Sequence, residues 1–346
     1  MNDKSRAGDT PHGRATMKHV AERAGVGLST VSRVVSGKGG VSRDKVRAVE
    51  RAVRDLGYSR NDFAHTLRTG SPRTIGVVVT NISDPFFSGL VHAVEERARA
   101  HDMLVLVASA TYDGDEATRV IRRLLQRRLD GLIVVAPEGA DLSLLAREQS
   151  AGTPVVFVDQ PPEDLDVDMV VVDNEGGTMR ATRHLAEGGH RRIACIAHTR
   201  GRYTSLRRRE GYRRGLEAAG ISFDPALELV VAETAEACEH ALRQLRAGPE
   251  PPTALVTTNG RMTLLVLEAL RRLDWHPALV GFDDLDIAPL MTPPTTTVAQ
   301  DPDAIGHAAA NLLFERIGGV GGPRRRVVLA TSLIARGSGE VAPDHG

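Results

Sequence analysis

At 346 residues the chain is too long for one compact core, and its 41% hydrophobic and 25% charged residues are typical of folded globular proteins rather than disordered chains. No apolar run approaches the roughly 18 residues that a membrane-spanning helix needs, and the polar segment 1–14 lacks the apolar stretch of a secretion signal. The sequence therefore argues against a membrane partner and predicts a cytoplasmic protein, with residues 1–15 as a disordered N-terminal arm.

The charge of the chain is unevenly distributed, although its net charge is zero. Residues 1–70 contain fourteen Lys and Arg against seven Asp and Glu, a net charge of +7, so the remainder carries −7. A basic N-terminal region on an acidic body indicates a polyanionic partner for that region alone. A basic solubilising tail has the same charge, and only the internal pattern of the region separates the two interpretations.

Three short helices are predicted within residues 16–59. Met17–Ala24 follows Thr16 as an N-cap and carries its apolar residues on one face. Gly25 provides the positive φ of a tight turn, and helices near 28–36 and 43–56 complete a bundle with inward-facing valines. This spacing is that of a helix-turn-helix, whose second helix enters the major groove of DNA.

The stretch TMKHVAERAGVGLSTVSRV at 16–34 closely resembles the DNA-binding head of the lactose-repressor (LacI/GalR) family, and family features recur to about residue 338. The resemblance implies an all-α helix-turn-helix head joined to a two-lobed α/β sensor like the periplasmic binding proteins. It also implies a transcription regulator, here expected to be a repressor, that binds a near-palindromic operator as a homodimer and responds to a small effector. Two residues depart from the family pattern: His19 replaces the usual Asp, and Gly27 replaces the Ser that usually caps the second helix.

The resemblance assigns DNA contacts to the second helix. Leu28 and Ser29 are expected to select bases, and Arg33 to reach a guanine, where a bidentate contact is worth about 1–3 kcal/mol of discrimination. Phosphate contacts position the protein without specifying sequence, and Thr30 and Ser32 are expected to make them. The DNA-binding set is completed in the first helix by Thr16 and Lys18.

Residues 60–72 are predicted to form a short hinge helix and a linker. A helix of about two turns is marginal in water, so it should order only with support, which the resemblance supplies by pairing two hinge helices in the minor groove. Leu67 is then expected to wedge between base pairs and kink the duplex, with a contact to the sensor as the alternative. The other hinge residues expected at the DNA are Asn61, Ala64, His65 and Arg68.

From residue 73 onward, strands rich in Val, Ile and Leu alternate with helices in two sets, which predicts two doubly wound parallel sheets. The last strand, Val327–Ile334, is predicted to join the second lobe. The predicted boundaries are about 73–173 and 298–322 for the first lobe, about 174–297 and 323–336 for the second, and 337–346 for a tail. The tail has no leucine heptads, so nothing indicates an oligomer larger than a dimer.

Ligands of such sheets bind beyond the carboxyl ends of the strands, so polar residues that follow strands are candidates for the effector site. Asp159, Asn259 and Asp283 follow predicted strands and match cleft positions of the family. Carboxylates accept hydrogen bonds, an arginine donates them, and an aromatic ring covers an apolar face. The further candidates are Phe86, Phe87, Arg202, Thr204 and Arg208, and for Phe87 a place in the core is equally expected.

A sugar is the first expectation for the effector, because it is the most frequent in the family. However, Gly260 stands where the family often has an Asp that binds sugar hydroxyls, and Gln160 stands where an aromatic ring often stacks. The alternatives are a nucleobase or an anionic metabolite, the latter because of the arginines at 202 and 207–209.

Two other classes of protein are disfavoured. An exported solute-binding protein shares the sensor but not the helix-turn-helix or Leu67. For an enzyme, the sequence lacks a phosphate-binding Gly-x-x-x-x-Gly-Lys loop, a nucleophile arrangement and histidines at metal-ligand spacing. The sequence therefore predicts no catalytic residue, no metal and no cofactor.

Overall fold

The protein was analysed as a computed structural model, which describes residues 15–35, 39–58, 72–110, 113–136, 139–162, 165–198 and 203–343. The chain divides into two compact units, residues 1–72 and 73–346. No helix among the described residues is long and apolar enough to cross a bilayer. The disordered arm predicted for residues 1–15 and the hinge predicted for residues 60–72 lie outside the described residues, apart from residues 15 and 72. So do the predictions for Asn61, Ala64, His65, Leu67, Arg68 and Arg202.

The described part of the first unit contains α1 (Met17–Ala24), α2 (Leu28–Val35) and α3 (Arg43–Asp55). Val20, Val31 and Val49, one from each helix, are fully buried at the centre of its core. Gly25 joins α1 to α2 with a φ of 64°, a left-handed conformation that glycine adopts without steric cost. The predicted helix-turn-helix is confirmed.

The second unit consists of two lobes, each built on a six-stranded sheet. In chain order its elements are β1 (Thr74–Val79), α4 (Pro85–Ala100), β2 (Leu104–Ser109), α5 (Gly114–Leu125), β3 (Gly131–Val134), α6 (Ser143–Ser150), β4 (Val155–Val158), β5 (Asp168–Val172), α7 (Asn174–Glu187), β6 (Ile193–His198), α8 (Tyr203–Ala218), β7 (Glu228–Val231), α9 (Ala235–Ala247), β8 (Ala254–Thr257), α10 (Gly260–Leu273), β9 (Ala278–Phe282), β10 (Thr296–Ala299), α11 (Pro302–Ile317), β11 (Arg326–Leu329) and β12 (Ser332–Ile334).

The strand order is β11-β5-β4-β3-β1-β2 in the first lobe and β12-β10-β9-β8-β6-β7 in the second. All neighbours are parallel except β10 and β12. Each sheet is covered on both faces: Val77 of β1 packs in a cluster with α4 and α11, whereas Val78 packs with α5 and α6. The predicted pair of doubly wound, mostly parallel sheets is confirmed.

The prediction of a single last strand, Val327–Ile334, in the second lobe is wrong. The segment forms two strands, β11 beside β5 in the first lobe and β12 beside β10 in the second. Thr331 lies between them, where its hydroxyl donates to the Asp173 carbonyl (3.3 Å) and its own carbonyl accepts from Arg180 (2.8 Å). These contacts hold the chain where it crosses between lobes, which an apolar run in the sequence does not reveal.

The same crossing changes two of the predicted boundaries. Residues 326–329 belong to the first lobe. The preceding crossing, from the second lobe back to the first, follows Ala299 rather than residue 297. This is because β10 pairs with β9 up to Val298 and with β12 up to Ala299. The predicted tail is packed on the second lobe, where Ser338 is buried and donates to the Leu279 carbonyl (2.6 Å). Val341 of this segment packs against the core of the second lobe, but a single valine in a mostly polar stretch did not indicate this packing from the sequence.

Candidate effector cleft and DNA-binding surface

The second helix of the head separates an apolar side from a polar one. Val31 is fully buried, whereas Leu28, Ser29 and Arg33 are exposed. Thr30 and Ser32 are half-buried beside them, and Thr16 and Lys18 are exposed at the start of α1. The structure therefore presents the predicted DNA-contacting residues of the head at its surface.

The first helix begins with a reciprocal cap. The Thr16 hydroxyl accepts from the His19 backbone N–H (3.4 Å), and Nδ1 of His19 accepts from the Thr16 backbone N–H (3.3 Å). This is a capping box, in which two otherwise unsatisfied N–H groups are paired. His19 thus accepts a hydrogen bond as the usual carboxylate would, so its departure from the family pattern preserves the chemistry of the cap.

At the carboxyl ends of the sheets, each lobe holds an aspartate in the same unusual conformation. Asp159 follows β4 with φ 62°, and Asp283 follows β9 with φ 70°. Their N–H groups donate to the next strand, at Val170 (3.1 Å) and Val298 (2.9 Å) respectively. Left-handed backbone costs a non-glycine residue about 1–2 kcal/mol and is tolerated best by Asn and Asp. Such strain is concentrated at functional sites.

Arg208 of α8 interacts electrostatically with both aspartates and is only 3% exposed. Its Nε donates to the side-chain oxygen of Asn174 (2.7 Å) and its Nη1 to the Thr258 carbonyl (2.6 Å). Burial lowers the pKa of Arg208, and the negative charges of Asp283 and Asp159 oppose this shift. Asn174, the second residue after β5 and the first of α7, was not identified as a candidate from the sequence.

A side-chain hydrogen bond joins the two lobes beside Arg208. The Nε2 of Gln160, from the first lobe, donates to the Thr204 hydroxyl of α8 (3.0 Å), and both residues are buried. The same nitrogen lies 3.4 Å from Oδ2 of Asp159. In the sequence, Gln160 is notable only because it replaces an aromatic residue of the family. In the structure it orients one of the two aspartates, Asp159.

The carboxylate of Asp283 is held from two directions. Its Oδ2 accepts from the Gly260 N–H (2.8 Å) and its Oδ1 from Nε2 of Gln300 (2.6 Å). A Cβ at Gly260 would lie only 3.0 Å from the Leu285 side chain and 3.3 Å from Asp283. Glycine at 260 thus allows the close approach of Asp283, and Gln300 is a further residue that the sequence argument missed.

Asn259 uses both ends of its side-chain amide within the protein. Its oxygen caps α10 by accepting from the Met262 N–H (2.6 Å), and its Nδ2 donates to Glu233 (2.9 Å). Glu233, which follows β7, places a further carboxylate at this edge of the sheet and was not identified from the sequence.

The remaining predicted residues differ in their surroundings. Phe87 is buried in the core of the first lobe, and Phe86 is partly exposed with its ring 5.0 Å from that of Phe87. Arg209 donates to Glu228 (2.7 Å from Nε), and Arg207 is exposed. Among the described residues, no group of His, Cys, Asp and Glu is arranged to hold a metal ion.

Two family descriptions match the chain: bacterial regulatory proteins, lacI family, over residues 16–61, and the periplasmic binding protein-like domain over residues 182–339. The ribose operon repressor of Escherichia coli K12 is 33% identical over 328 residues, which cover 94% of this chain and 99% of that protein.

Two solved structures are similar along almost the whole chain. The complex of the transcriptional regulator CelR with cellobiose is 33% identical, with a TM-score of 0.69, and the match covers 94% of this chain and 100% of that one. The Lac repressor dimer bound to operator and an anti-inducer is 26% identical, with a TM-score of 0.84 and coverage of 95% and 100%. These relatives are transcription regulators rather than enzymes, which confirms the prediction that the chain is not an enzyme. The chain belongs to the LacI family of bacterial regulatory proteins and is a DNA-binding transcription regulator.

Proposed function

We propose that this protein is a repressor that binds a near-palindromic operator as a homodimer and changes its operator affinity when a sugar binds between the lobes of the sensor. It acts in the bacterial cytoplasm, where operator DNA is found. The observation that carries the proposal is the buried Arg208, which interacts electrostatically with one aspartate from each lobe, Asp159 and Asp283. A ligand that contacts all three groups draws the lobes together.

The charges of the cleft favour a neutral, hydroxyl-rich effector over an anion. Arg208 faces two carboxylates, and Glu233 adds a third at the same edge of the second sheet. Arg209, which entered the argument for an anionic ligand, is instead paired with Glu228. Carboxylates accept hydrogen bonds from hydroxyl groups but repel an anion.

Three buried polar atoms at the same edges support a polar ligand. The hydroxyls of Thr80 and Thr258 and the side-chain oxygen of Gln300 are buried without a hydrogen-bond partner in the described part of the chain. They follow β1, β8 and β10. Buried polar groups are almost always paired, so hydroxyls of a bound sugar are suitable partners.

A nucleobase is the weaker alternative, because the aromatic rings beside the cleft are engaged elsewhere. The guanidinium of Arg208 lies 3.6 Å from the ring centroid of Phe282, and Phe87 is buried in the core. Phe86 remains as the aromatic candidate. The related CelR structure is a complex with cellobiose, and another relative is the repressor of the ribose operon. Both relatives also favour a sugar as the effector.

Within this site we assign direct contacts to Asp159, Arg208 and Asp283, with Phe86 covering an apolar face. Asn259 is a supporting residue, since both ends of its amide are engaged. Thr204 contributes by joining Gln160 across the lobes. Arg202 remains a proposed contact from the sequence.

An exposed apolar edge in the first lobe suits the contact between the two copies of the dimer. β2 is the edge strand of its sheet, and its Leu104, Leu106 and Val107 are 67%, 39% and 42% exposed. An uncovered apolar edge strand invites aggregation, whereas the same strand of a second copy can cover it in a two-fold interface. Leu104 lies opposite Thr74, the first residue of β1, so this contact adjoins the point where the hinge enters the sensor.

This placement suggests how the sugar and the operator are coupled. Closure of the lobes shifts the dimer contact and with it the separation of the two hinge segments. That separation determines whether the Leu67 helices pair in the minor groove, where the proposed set is completed by Asn61, Ala64, His65 and Arg68. Because the coupling is thermodynamic, the operator changes sugar affinity by the same factor as the sugar changes operator affinity.

The test has two stages with the full-length protein. Selection from a random duplex pool should enrich near-palindromic sites, and fluorescence anisotropy should then show operator affinity changing with D-ribose or cellobiose. Asp283→Ala should retain operator affinity within about threefold and lose the sugar response, whereas the matched control Asp286→Ala, an exposed aspartate on the same loop, should respond normally. Failure to enrich any site, or a normal response of Asp283→Ala, contradicts the proposal.

A further inference from the structure

The chain beyond β12 packs beside the loop that follows β9. There Arg336 donates to both oxygens of Asp284, with Nη1–Oδ1 at 2.6 Å and Nη2–Oδ2 at 2.8 Å. Asp284 directly follows Asp283, so a bidentate ion pair lies one residue from the proposed effector carboxylate. Arg336 was not a candidate residue in the sequence.

The ion pair is part of a larger network on β10. The Thr297 hydroxyl donates to Oδ1 of Asp284 (2.8 Å), and Nη1 of Arg336 also donates to the Thr295 carbonyl (3.2 Å). The side chains of Arg336 and Asp284 are 17% and 29% exposed, so water screens them only in part. Hydrogen bonding from Arg336 lowers the pKa of Asp284, which keeps its carboxylate ionised.

This network acts on a residue that needs external support. Asp283 has a left-handed backbone with φ 70°, and such strained conformations persist only where the surrounding structure holds them. On one side Asp283 is held by β9. On its C-terminal side, the next residue, Asp284, is held by its ion pair with Arg336.

We infer that Arg336 is a positioning residue for Asp283: through Asp284 it holds the backbone conformation that directs the Asp283 carboxylate to the Gly260 N–H and into the cleft. This role of Arg336 rests on the proposed function in one respect only, the contact between Asp283 and the effector. The hydrogen bond from Gly260 to Asp283 (2.8 Å) reports the position of this carboxylate without any ligand.

The ligand-free test is amide hydrogen exchange of Gly260 in the full-length protein. Arg336→Gln should accelerate exchange at Gly260 by about tenfold or more, and Arg336→Lys, which retains the charge but not the bidentate contact, should give an intermediate rate. The matched control is Arg316→Gln, which removes a more buried bidentate ion pair with Asp168. Asp168 is the first residue of β5 and therefore lies at the end of that strand away from the cleft. The control should lower the melting temperature and leave Gly260 exchange unchanged.

Equal exchange at Gly260 in wild type and in both Arg336 variants overturns the inference. So does equal acceleration in Arg316→Gln, because the effect is then one of general stability.

Titration with D-ribose and cellobiose separates this inference from the proposed function. Arg336→Gln should bind the active sugar about tenfold more weakly and keep its sugar-free operator affinity within about threefold. If Asp283→Ala abolishes sugar binding while Arg336→Gln binds as wild type, the positioning role is wrong and the proposed function stands. If neither sugar binds the wild type, the sugar proposal fails, and the exchange rates alone decide the role of Arg336.

Discussion

The head and the sensor present their polar residues in opposite ways. Ser29 and Arg33 of the head are exposed on a single helix, whereas Thr204 and Arg208 of the sensor are buried, and Arg208 is held by contacts with distant parts of the chain. DNA is larger than the head and must meet a surface, while a small molecule must be enclosed to be bound with specificity. The difference shows why local pattern describes one site well and the other only in outline.

The two regions also differ in the size of their cores. Among the described residues, the head has one small core, whereas the sensor has four clusters, two in each lobe. A small core has little stability to lose. Substitutions inside the head are therefore expected to unfold it, while substitutions at the cleft should change the effector response first.

The largest effect is expected at Arg208, because it is both buried and charged. Arg208→Met leaves Asn174 and the Thr258 carbonyl without their donor and removes the charge between Asp159 and Asp283, which should destabilise the sensor by about 3 kcal/mol and abolish the sugar response. Calorimetry and operator binding with and without sugar would measure this. The exposed neighbour Arg207→Met is the control, and similar behaviour of the two variants would contradict the assignment.

A core substitution in the head tests whether the two regions unfold separately. Val31→Ala removes two buried methyl groups and should destabilise the head by about 2 kcal/mol, which weakens operator binding. The melting transition of the sensor should not move. A parallel shift of the sensor transition would show that the two units share their stability.

The cap of α1 should contribute less. Thr16→Ala should destabilise the head by about 1 kcal/mol, and Thr16→Ser should restore it, because serine also accepts from the His19 N–H. Lys18→Ala is the matched substitution for DNA contact alone: head stability should be unchanged, while the slope of log affinity against log salt should fall by about one. If Thr16→Ser behaves like Thr16→Ala, the cap is not the source of the effect.

The smallest effect is a pH dependence confined to the sensor. His190 is fully buried, and its Nε2 donates to the Val341 carbonyl (2.9 Å), so its Nδ1 accepts from Thr253. Burial lowers the pKa of His190 below its ordinary value of 6.5, and the hydrogen bond to Val341 opposes the shift only in part. His190 therefore binds a proton more readily in the unfolded chain than in the folded one. The free energy of unfolding decreases as the pH falls from 6.5 toward the pKa of His190 in the folded state.

The melting temperature of the sensor should accordingly decrease between pH 7 and pH 5, and this decrease should be smaller in His190→Gln. Equal pH dependence in the two proteins would remove His190 as its cause. The control is His276→Gln, an exposed histidine of the same lobe.

The candidate cleft residues were selected from the sequence by the rule that ligands bind beyond the carboxyl ends of parallel strands. That rule selected Asp159 and Asp283, both of which interact electrostatically with the buried Arg208. It overlooked Asn174, Gln300 and Glu233, because an amide or carboxylate after a strand is also common as a helix cap or surface residue. Only the packing in the structure distinguishes the two aromatic residues, with Phe87 in the core and Phe86 at its margin.

The sequence by itself determined the helix-turn-helix and the two doubly wound sheets, because both depend on local periodicity: apolar residues three and four apart on helices, and continuous apolar runs on buried strands. Tertiary structure alone decided which lobe β11 joins, how Gln160 meets Thr204, and that Arg336 pairs with Asp284. Each of these contacts joins residues 44 or more positions apart. Their energies depend on burial and on the exact partner, neither of which a pattern of residue types encodes.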